Sequence, residues 1–478
     1  MVFSSPIFIF IFLPIVILLV GFGRKRFHNI ILLFASLFFY AWGGLSQTPI
    51  FLFSITINYF FGILINSSEQ RRAKFFLTIG VIVNLGLLGY FKYFNFLLEN
   101  INSLLSDTNQ IQYEKVALPI GISFFTFHAM SYIIDVYRKK VEVQRNFLDL
   151  ALYISFFPQL IAGPIVRYID VAGQFKSRTL SLEKVSSGIQ RFIFGFAKKV
   201  IVANSMAFIA DQVFNTPVNQ ISSGLSWLGI IAYTLQIYFD FSGYSDMALG
   251  LAKIFGFEFP ENFNYPYVSQ SIKEFWRRWH ISLSTWFRDF LYIPLGGSKG
   301  TELQTLRNLL IVFFCTGFWH GASWNFIVWG MFHGTFLLIE RVGFENILER
   351  FNKIVRIAYT LLIVMIGWVF FRADTLTYGM EYLGKMFLIS SNEGVKLYLV
   401  EFLDAKIIFT LLFAFLYSFK IWRFMQKKIE NYFYSSNREK MYSFIFHTTK
   451  FTVAAGLFFL TIMYLAGSTY NPFIYFRF

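Results

Sequence analysis

Charge is scarce in this chain of 478 residues. Only 14% of it is Asp, Glu, Lys or Arg, against about a quarter in a soluble domain. A conventional fold wrapped in a charged shell is thereby excluded. The single cysteine, Cys315, leaves no intramolecular disulfide to form. It lies inside an apolar run and reads as a small packing residue rather than a nucleophile. No H-E-x-x-H spacing occurs, so a zinc hydrolase is rejected and no metal site is expected. The Gly-rich phosphate loop is absent as well. No basic hydrophilic domain exists, which excludes a nucleic-acid partner. The net charge of +15 instead reads as Lys and Arg enriched in cytoplasmic loops. Without internal repeats or low-complexity linkers, residues 1–478 read as a single membrane domain ending in a short tail, 471–478.

What is present in excess is apolar and aromatic. Phe occurs 65 times and Tyr 26 times, and the mean hydropathy is +0.54. The fold class expected is an all-α polytopic membrane protein. Residues 1–21 are apolar, and the basic cluster Arg24-Lys25-Arg26 follows them. A cleaved signal peptide has the opposite order, so the reading is a retained first span with its N-terminus outside. Further spans are expected at about 29–44, 49–66, 75–98, 117–137 and 147–166 from the hydropathy pattern. Beyond Pro164 the pattern blurs, and a broken or re-entrant segment fits there, where protein or water can surround it. A helix over 185–213 is interrupted by Lys198-Lys199. Spans resume at about 224–254, 305–338, 355–371, 401–419 and 451–467. Ten or twelve crossings, with amphipathic and re-entrant helices besides, would leave the tail outside the cell membrane.

Four stretches could carry chemistry. In Cys315-Thr-Gly317-Phe-Trp319-His320-Gly321-Ala-Ser-Trp324-Asn325, a histidine sits at membrane depth, where a polar ring needs a partner or a task. The glycines beside it permit close backbone approach. His333 lies thirteen residues on, roughly 19 Å away along a straight helix, too far to share one metal ion. Ser271 to Gly297 reads as one amphipathic helix ending near Pro294, in the interface or roofing a cavity. Its apolar arc holds Ile272, Phe275, Trp276, Trp279, Leu283, Trp286, Phe287 and Phe290. Lys273, Arg277, His280, Ser284 and Arg288 gather opposite and could bind an anionic, phosphate-bearing ligand, or only anchor the helix to head groups. Third, Asp240 and Asp246 lie in an apolar span and are expensive there unless paired. Pairing with the arginines of the following helix is the expectation. Fourth, the tail Pro472-Phe-Ile-Tyr475-Phe-Arg-Phe478 is aromatic enough to dock in a groove or to anchor at an interface.

Phe275-Trp-Arg277-Arg278-Trp279-His280-Ile-Ser-Leu-Ser284, Trp286-Phe-Arg288-Asp-Phe290 and Gly317-Phe-Trp-His320-Gly-Ala-Ser-Trp324 together resemble the membrane-bound O-acyltransferases. Within that family the chain is most similar to the branch that acetylates alginate and peptidoglycan. Leu118-Pro-Ile-Gly-Ile-Ser-Phe124, Phe157-Pro-Gln-Leu-Ile-Ala-Gly-Pro-Ile-Val-Arg167 and Asp240-Phe-Ser-Gly-Tyr-Ser-Asp246 extend the resemblance over nearly the whole chain.

The resemblance implies a helical body with a thinned centre, funnelled from both faces. It implies acyl transfer from a cytoplasmic thioester to an acceptor outside, in a multi-pass protein of the bacterial cytoplasmic (inner) membrane. The family's invariant histidine maps onto His320 and its other motif histidine onto His280. The tail is similar to a C-terminal motif whose tyrosine, here Tyr475, is thought to carry the acyl group. Arg277, Arg278, Trp279, Ser284, Arg288, Trp319, Trp324, Asp240 and Asp246 are the candidates for binding donor or acceptor. The donor implied is acetyl-CoA, as substrate rather than cofactor. The partner implied is a separate extracytoplasmic transferase that hands the acetyl group to a polysaccharide, with peptidoglycan favoured over alginate by a composition that hints at AT-rich coding. The alternatives are D-alanyl transfer to teichoic acid, a donor transporter and a non-enzymatic scaffold.

Overall fold

The computed structural model of the protein describes residues 1–388, 394–435, 439–467 and 470–474. Among them the regular structure is helical, and β pairing is limited to one isolated bridge between Ile221 and Leu397. Leu45–Ser67, Gln70–Asn102, Leu182–Phe214, Lys353–Arg372 and Met441–Gly467 are long and apolar enough to cross a membrane. Ala405–Ser418 and Arg423–Phe433, bent by 62°, add a sixth span if taken together. The other apolar stretches of the sequence form shorter or more polar helices. The chain divides into two compact units, Met1–Phe192 with Met247–Pro260, and Ile193–Asp246 with Glu261–Phe478.

The first unit holds α1 (Leu13–Phe22), α2 (His28–Gly43), α3 (Thr48–Ser67), α4 (Gln70–Leu88), α5 (Phe94–Asn102), α6 (Ile122–Tyr137), α7 (Phe147–Ser155), α8 (Phe157–Leu160) and α9 (Tyr168–Lys176), together with most of α10 (Leu182–Ala197). α3, α4 and α6 pack against one another. Gly62 on α3 admits the Tyr132 ring of α6, for a Cβ there would meet its hydroxyl at 2.6 Å. α3 and α4 are pinned by a reciprocal amide pair: Asn58 donates to Asn84 at 3.1 Å and Asn84 donates back at 2.8 Å. Each also donates to the carbonyl four residues earlier, so both buried amides are satisfied without water.

The expected span at 147–166 does not form as one helix. α7 stops at Ser155, the four-residue α8 follows, and the backbone is irregular up to Arg167. Pro158 and the Gly163-Pro164 pair cannot sustain the helical ladder. All residues from Leu150 to Val166 are buried, so protein surrounds this broken segment, as membrane-depth irregular backbone requires.

The second unit contains α11 (Asn204–Phe214), α12 (Ser223–Ile254, whose last turns belong to the first unit), α13 (Ile272–Arg278), α14 (Ile281–Phe287), α15 (Glu302–His320), α16 (Trp324–Ile339), α17 (Glu345–Leu348), α18 (Lys353–Arg372), α19 (Leu376–Met386), α20 (Ala405–Ser418), α21 (Ile421–Ser435) and α22 (Glu439–Gly467). Between α10 and α11 the interruption expected at the lysine pair is a π-helical turn, Lys198–Ala203. One continuous core joins α11, α12, α13, α16 and α18 and includes Ile474 of the tail.

Two local expectations are corrected. The amphipathic stretch from Ser271 is not one helix: it breaks at Trp279-His280, where His280 takes a left-handed backbone (φ 43°, ψ 56°), and α14 starts again at Ile281. Its apolar arc is buried in protein, with Ile272, Phe275, Trp276, Trp279, Leu283, Trp286 and Phe287 all in the interior. The run from Leu309 to Leu338 is a tight helical hairpin, α15 turning at 321–323 into α16, so the straight-helix separation of His320 and His333 does not hold.

Replacing Asn58 by Ala strands the Asn84 amide in an apolar interior. We expect a loss of about 1 kcal/mol, the scale of interhelical polar contacts in membrane proteins, and a smaller loss in the N58L/N84L double variant. Unfolding in detergent micelles measures both; equal losses in the two variants would contradict the paired-amide account.

Candidate active site

His320 is the last residue of α15, and its position depends on how tightly α15 and α16 meet. At Gly317 an added Cβ would stand 2.3 Å from the Phe326 carbonyl oxygen of α16, and at Gly330 another would stand 2.4 Å from the Phe313 carbonyl oxygen. Glycine at both positions lets the two backbones touch. Gly321 then leaves the helix in extended conformation, with its side-chain position occupied by the Phe326 ring. The close approach expected beside His320 is thus made by the following helix.

The His320 ring is buried, 6% exposed. It meets Trp319 at 5.0 Å, Trp329 at 5.0 Å and Phe371 of α18 at 5.3 Å between centroids, each edge to face. His333 lies on another side of the same Trp329, at 5.4 Å, among Trp276, Phe275 and Trp368. Trp319 also reaches His280, 6.4 Å away. The two motif histidines therefore flank one indole.

His280 is held by a polar network that determines its tautomer. Asn262 donates through Nδ2 to Ser245 Oγ at 3.1 Å, and its Oδ1 accepts from the Ser282 backbone N–H at 3.2 Å. The amide orientation is fixed by that N–H, so the contact of 3.1 Å between Asn262 Oδ1 and His280 Nδ1 requires the proton on Nδ1. The lone pair is then at Nε2, which is buried without a hydrogen bond among the described residues. Phe241 of α12 packs edge-on at 4.6 Å. The ring lies between α13 and α14, outside the membrane-spanning segments, and burial pushes its pKa down to about 3. The imidazole is neutral at physiological pH. The break that presents it is clamped on both sides, by Ile281 N–H to the Asn262 carbonyl and by Asn264 N–H to the Arg278 carbonyl. Upstream, the buried Glu340 carboxylate accepts the Ile272 and Lys273 N–H groups at 2.7 and 3.0 Å, anchoring the start of α13.

The basic face is less uniform than the sequence implied. Arg278 is engaged by Glu274 at 2.7 Å and Arg288 by Asp289 at 2.7 Å. Arg277 is exposed and lines an open cleft of about 310 Å³ with Lys273, Arg356, Glu274, Glu345 and Glu349, a mixture of both signs. Trp279 is core, stacked on Phe275, with Phe263 edge-on and Trp368 tilted against it. Ser284 is half-buried, Trp319 buried, and Trp324, the first residue of α16, exposed.

Asp240 and Asp246 were expected to pair with the arginines of the following helix; among the described residues their ion pairs are with lysines. They take the adjacent lysines of the π-helical turn: Lys199 to Asp240 at 2.7 Å and Lys198 to Asp246 at 2.6 Å. Two acids about 120° apart on one helix need two cations on different bearings, and consecutive residues of a wide turn provide them. Such turns recur at functional sites. Tail residues 470–474 lie against this pair; Tyr475 falls outside the described residues. Lys198, Lys199, Asn262 and Glu340 were not singled out as site residues from sequence. Two lysines inside an apolar run, matched by two acids inside another, were the available signal for the first two; Asn262 and Glu340 carried none.

These features define a polytopic helical membrane protein with two buried motif histidines, His320 in an aromatic cage and His280 on a polar network. The family profile described as "MBOAT, membrane-bound O-acyltransferase family" matches residues 73–373, and the chain belongs to that family. It is 47% identical over 391 residues to "Probable alginate O-acetylase AlgI" of Azotobacter vinelandii, covering 81% of this chain and 78% of that one. It is 37% identical over 423 residues to "Peptidoglycan O-acetyltransferase" of Helicobacter pylori, covering 81% and 80%. "Teichoic acid D-alanyltransferase" of Bacillus subtilis matches at 32% over 248 residues, 49% of this chain and 60% of that one. The chain is an acyltransferase.

Asn262→Ala removes the acceptor that holds His280 Nδ1–H. We expect acyl transfer to fall about threefold to tenfold, the kinetic equivalent of one lost hydrogen bond, with circular dichroism unchanged. Full activity in that variant would remove the tautomer from any role.

Proposed function

We propose that this protein takes an acetyl group from acetyl-CoA on the inner side of the bacterial cytoplasmic membrane and passes it outward for O-acetylation of a cell-envelope polysaccharide. The observation that carries the reading is His320: a buried imidazole at a helix end, caged by aromatic rings and reached by closely packed glycine backbones, in a member of an O-acyltransferase family. His320 acts as general base. It accepts the proton of a hydroxyl whose oxygen attacks the acetyl thioester carbonyl. The carbon–sulfur bond breaks, CoA leaves as thiolate, and the imidazolium returns the proton to it. The hydroxyl is that of Tyr475, giving an acetyl-tyrosine which a separate extracytoplasmic transferase unloads onto sugar hydroxyls. His280, with its lone pair at Nε2, orients donor or acceptor. Cytoplasmic-side Arg and Lys hold the anionic part of the donor.

Composition leans towards peptidoglycan as acceptor, whereas the higher identity to alginate acetylases leans towards an exopolysaccharide. Both are polysaccharides esterified at sugar hydroxyls, and that shared chemistry is the acceptor class proposed. D-alanyl transfer is less favoured, because the matching relatives are more distant and cover about half of this chain.

His320→Ala should lower ester acetate on purified envelope polysaccharide by about 10²- to 10⁴-fold, the usual contribution of a general base. Alkaline acetate release, assayed separately on peptidoglycan and exopolysaccharide fractions, reads both activity and acceptor. Undiminished acetate in both would end the reading. Tyr475→Phe should abolish transfer to the partner while leaving the protein folded; unchanged transfer there excludes the tyrosine relay alone.

A further inference from the structure

The buried Lys199–Asp240 pair does more than neutralise itself. The two side chains are 3% and 1% exposed. Lys199 Nζ also donates to the Asn204 side chain at 2.9 Å and to the backbone carbonyl of Pro472. Asp240 Oδ2 accepts the backbone N–H of Ile474 at 2.9 Å. A cation thus takes a tail carbonyl and its counter-anion takes a tail amide two residues on. These contacts are to main-chain groups and are charge-assisted on both sides. Around them, Phe473 stacks on Tyr244 at 4.9 Å and lies under the Lys199 ammonium. Asn204 donates to Asn471 at 3.1 Å, and the Tyr470 hydroxyl reaches Asp211, itself bound to Arg372 at 2.8 Å. Phe473 and Ile474 are 8% and 4% exposed. Asp240 immediately precedes Phe241, whose ring packs against His280.

We propose that Lys199 and Asp240 form a latch for the C-terminal segment, a pair of positioning residues that seats the main chain at Pro472 and Ile474 and thereby delivers the next residue, Tyr475, for acylation. A neutral pair would fill the same space, yet only an ammonium and a carboxylate offer strong partners to an amide carbonyl and an amide N–H at once. The latch itself stands on the contacts of 470–474. Its consequence for acyl transfer rests on the relay proposed above.

Single removal of Lys199 would leave Asp240 buried and unpaired, and such a chain can fail to fold. The deciding variant is Lys199→Met with Asp240→Leu, which removes both charges together and is expected to fold at least as well as the native chain. The full-length protein in detergent is digested with a carboxypeptidase and followed by intact mass, alongside its melting temperature and envelope acetate. We expect an unchanged or higher melting temperature, trimming through Ile474 and Phe473 at least about tenfold faster than in the native chain, and acetate reduced to the Tyr475→Phe level. Native-rate trimming in the folded double variant overturns the latch. Faster trimming with undiminished acetate upholds the latch and overturns the tyrosine relay instead, so the two readings fail separately.

Discussion

An ion or a polar ring placed in an apolar interior must be met by a partner, and most of what is particular to the second unit follows from that requirement. The apolar helix α12 carries two aspartates, and neither could be tolerated alone. Their partners come from the one place where the α10–α11 helix widens, so that Lys198 and Lys199 diverge enough to reach both. The widened turn, the ion pairs and the docked residues 470–474 therefore form one arrangement. Losing one member of either ion pair leaves its partner buried and uncompensated.

The same requirement shapes the histidines, with different outcomes. His280 is given a polar partner, Asn262, whose own orientation is fixed by a backbone N–H. Burial keeps its imidazole neutral, and the Asn262 contact then leaves one nitrogen committed and the other bearing a lone pair. His320 and His333 sit instead among indole and phenyl edges, flanking Trp329 from two directions. Aromatic cages of this kind keep water away and hold ring planes fixed.

Glycine and proline determine where the helices part and where they touch. Gly317 and Gly330 bring α15 and α16 into backbone contact, which places His320 at the closed end of a hairpin. In the first unit, Gly62 admits Tyr132, while Gly163-Pro164 keeps the buried backbone after α8 out of helical form. Both units thus combine long apolar helices, set by hydropathy, with short irregular pieces, and in the first unit the broken segment is enclosed by protein.

Hydropathy and periodicity alone determined that this is a helical membrane protein, and they located most helices to within a few residues: 29–44 against His28–Gly43, 355–371 against Lys353–Arg372. The motifs around His280 and His320 sufficed for the family. These are local properties, written into successive side chains. The breaks were harder to see. A helical wheel assumes an unbroken ladder, and nothing in Trp279-His280 announces that His280 will turn left-handed, because the clamp comes from 262–264. Nor could spacing along a straight helix foresee that His320 and His333 would share Trp329, since the turn at 321–323 folds one helix back upon the other. The choice of Lys198 and Lys199 over the nearer arginines, and the tail main chain gripped between Lys199 and Asp240, belong to the tertiary structure alone. Partner selection among buried polar groups depends on which helices meet and at what rotation, and that information is distributed over the whole unit rather than held in any one stretch.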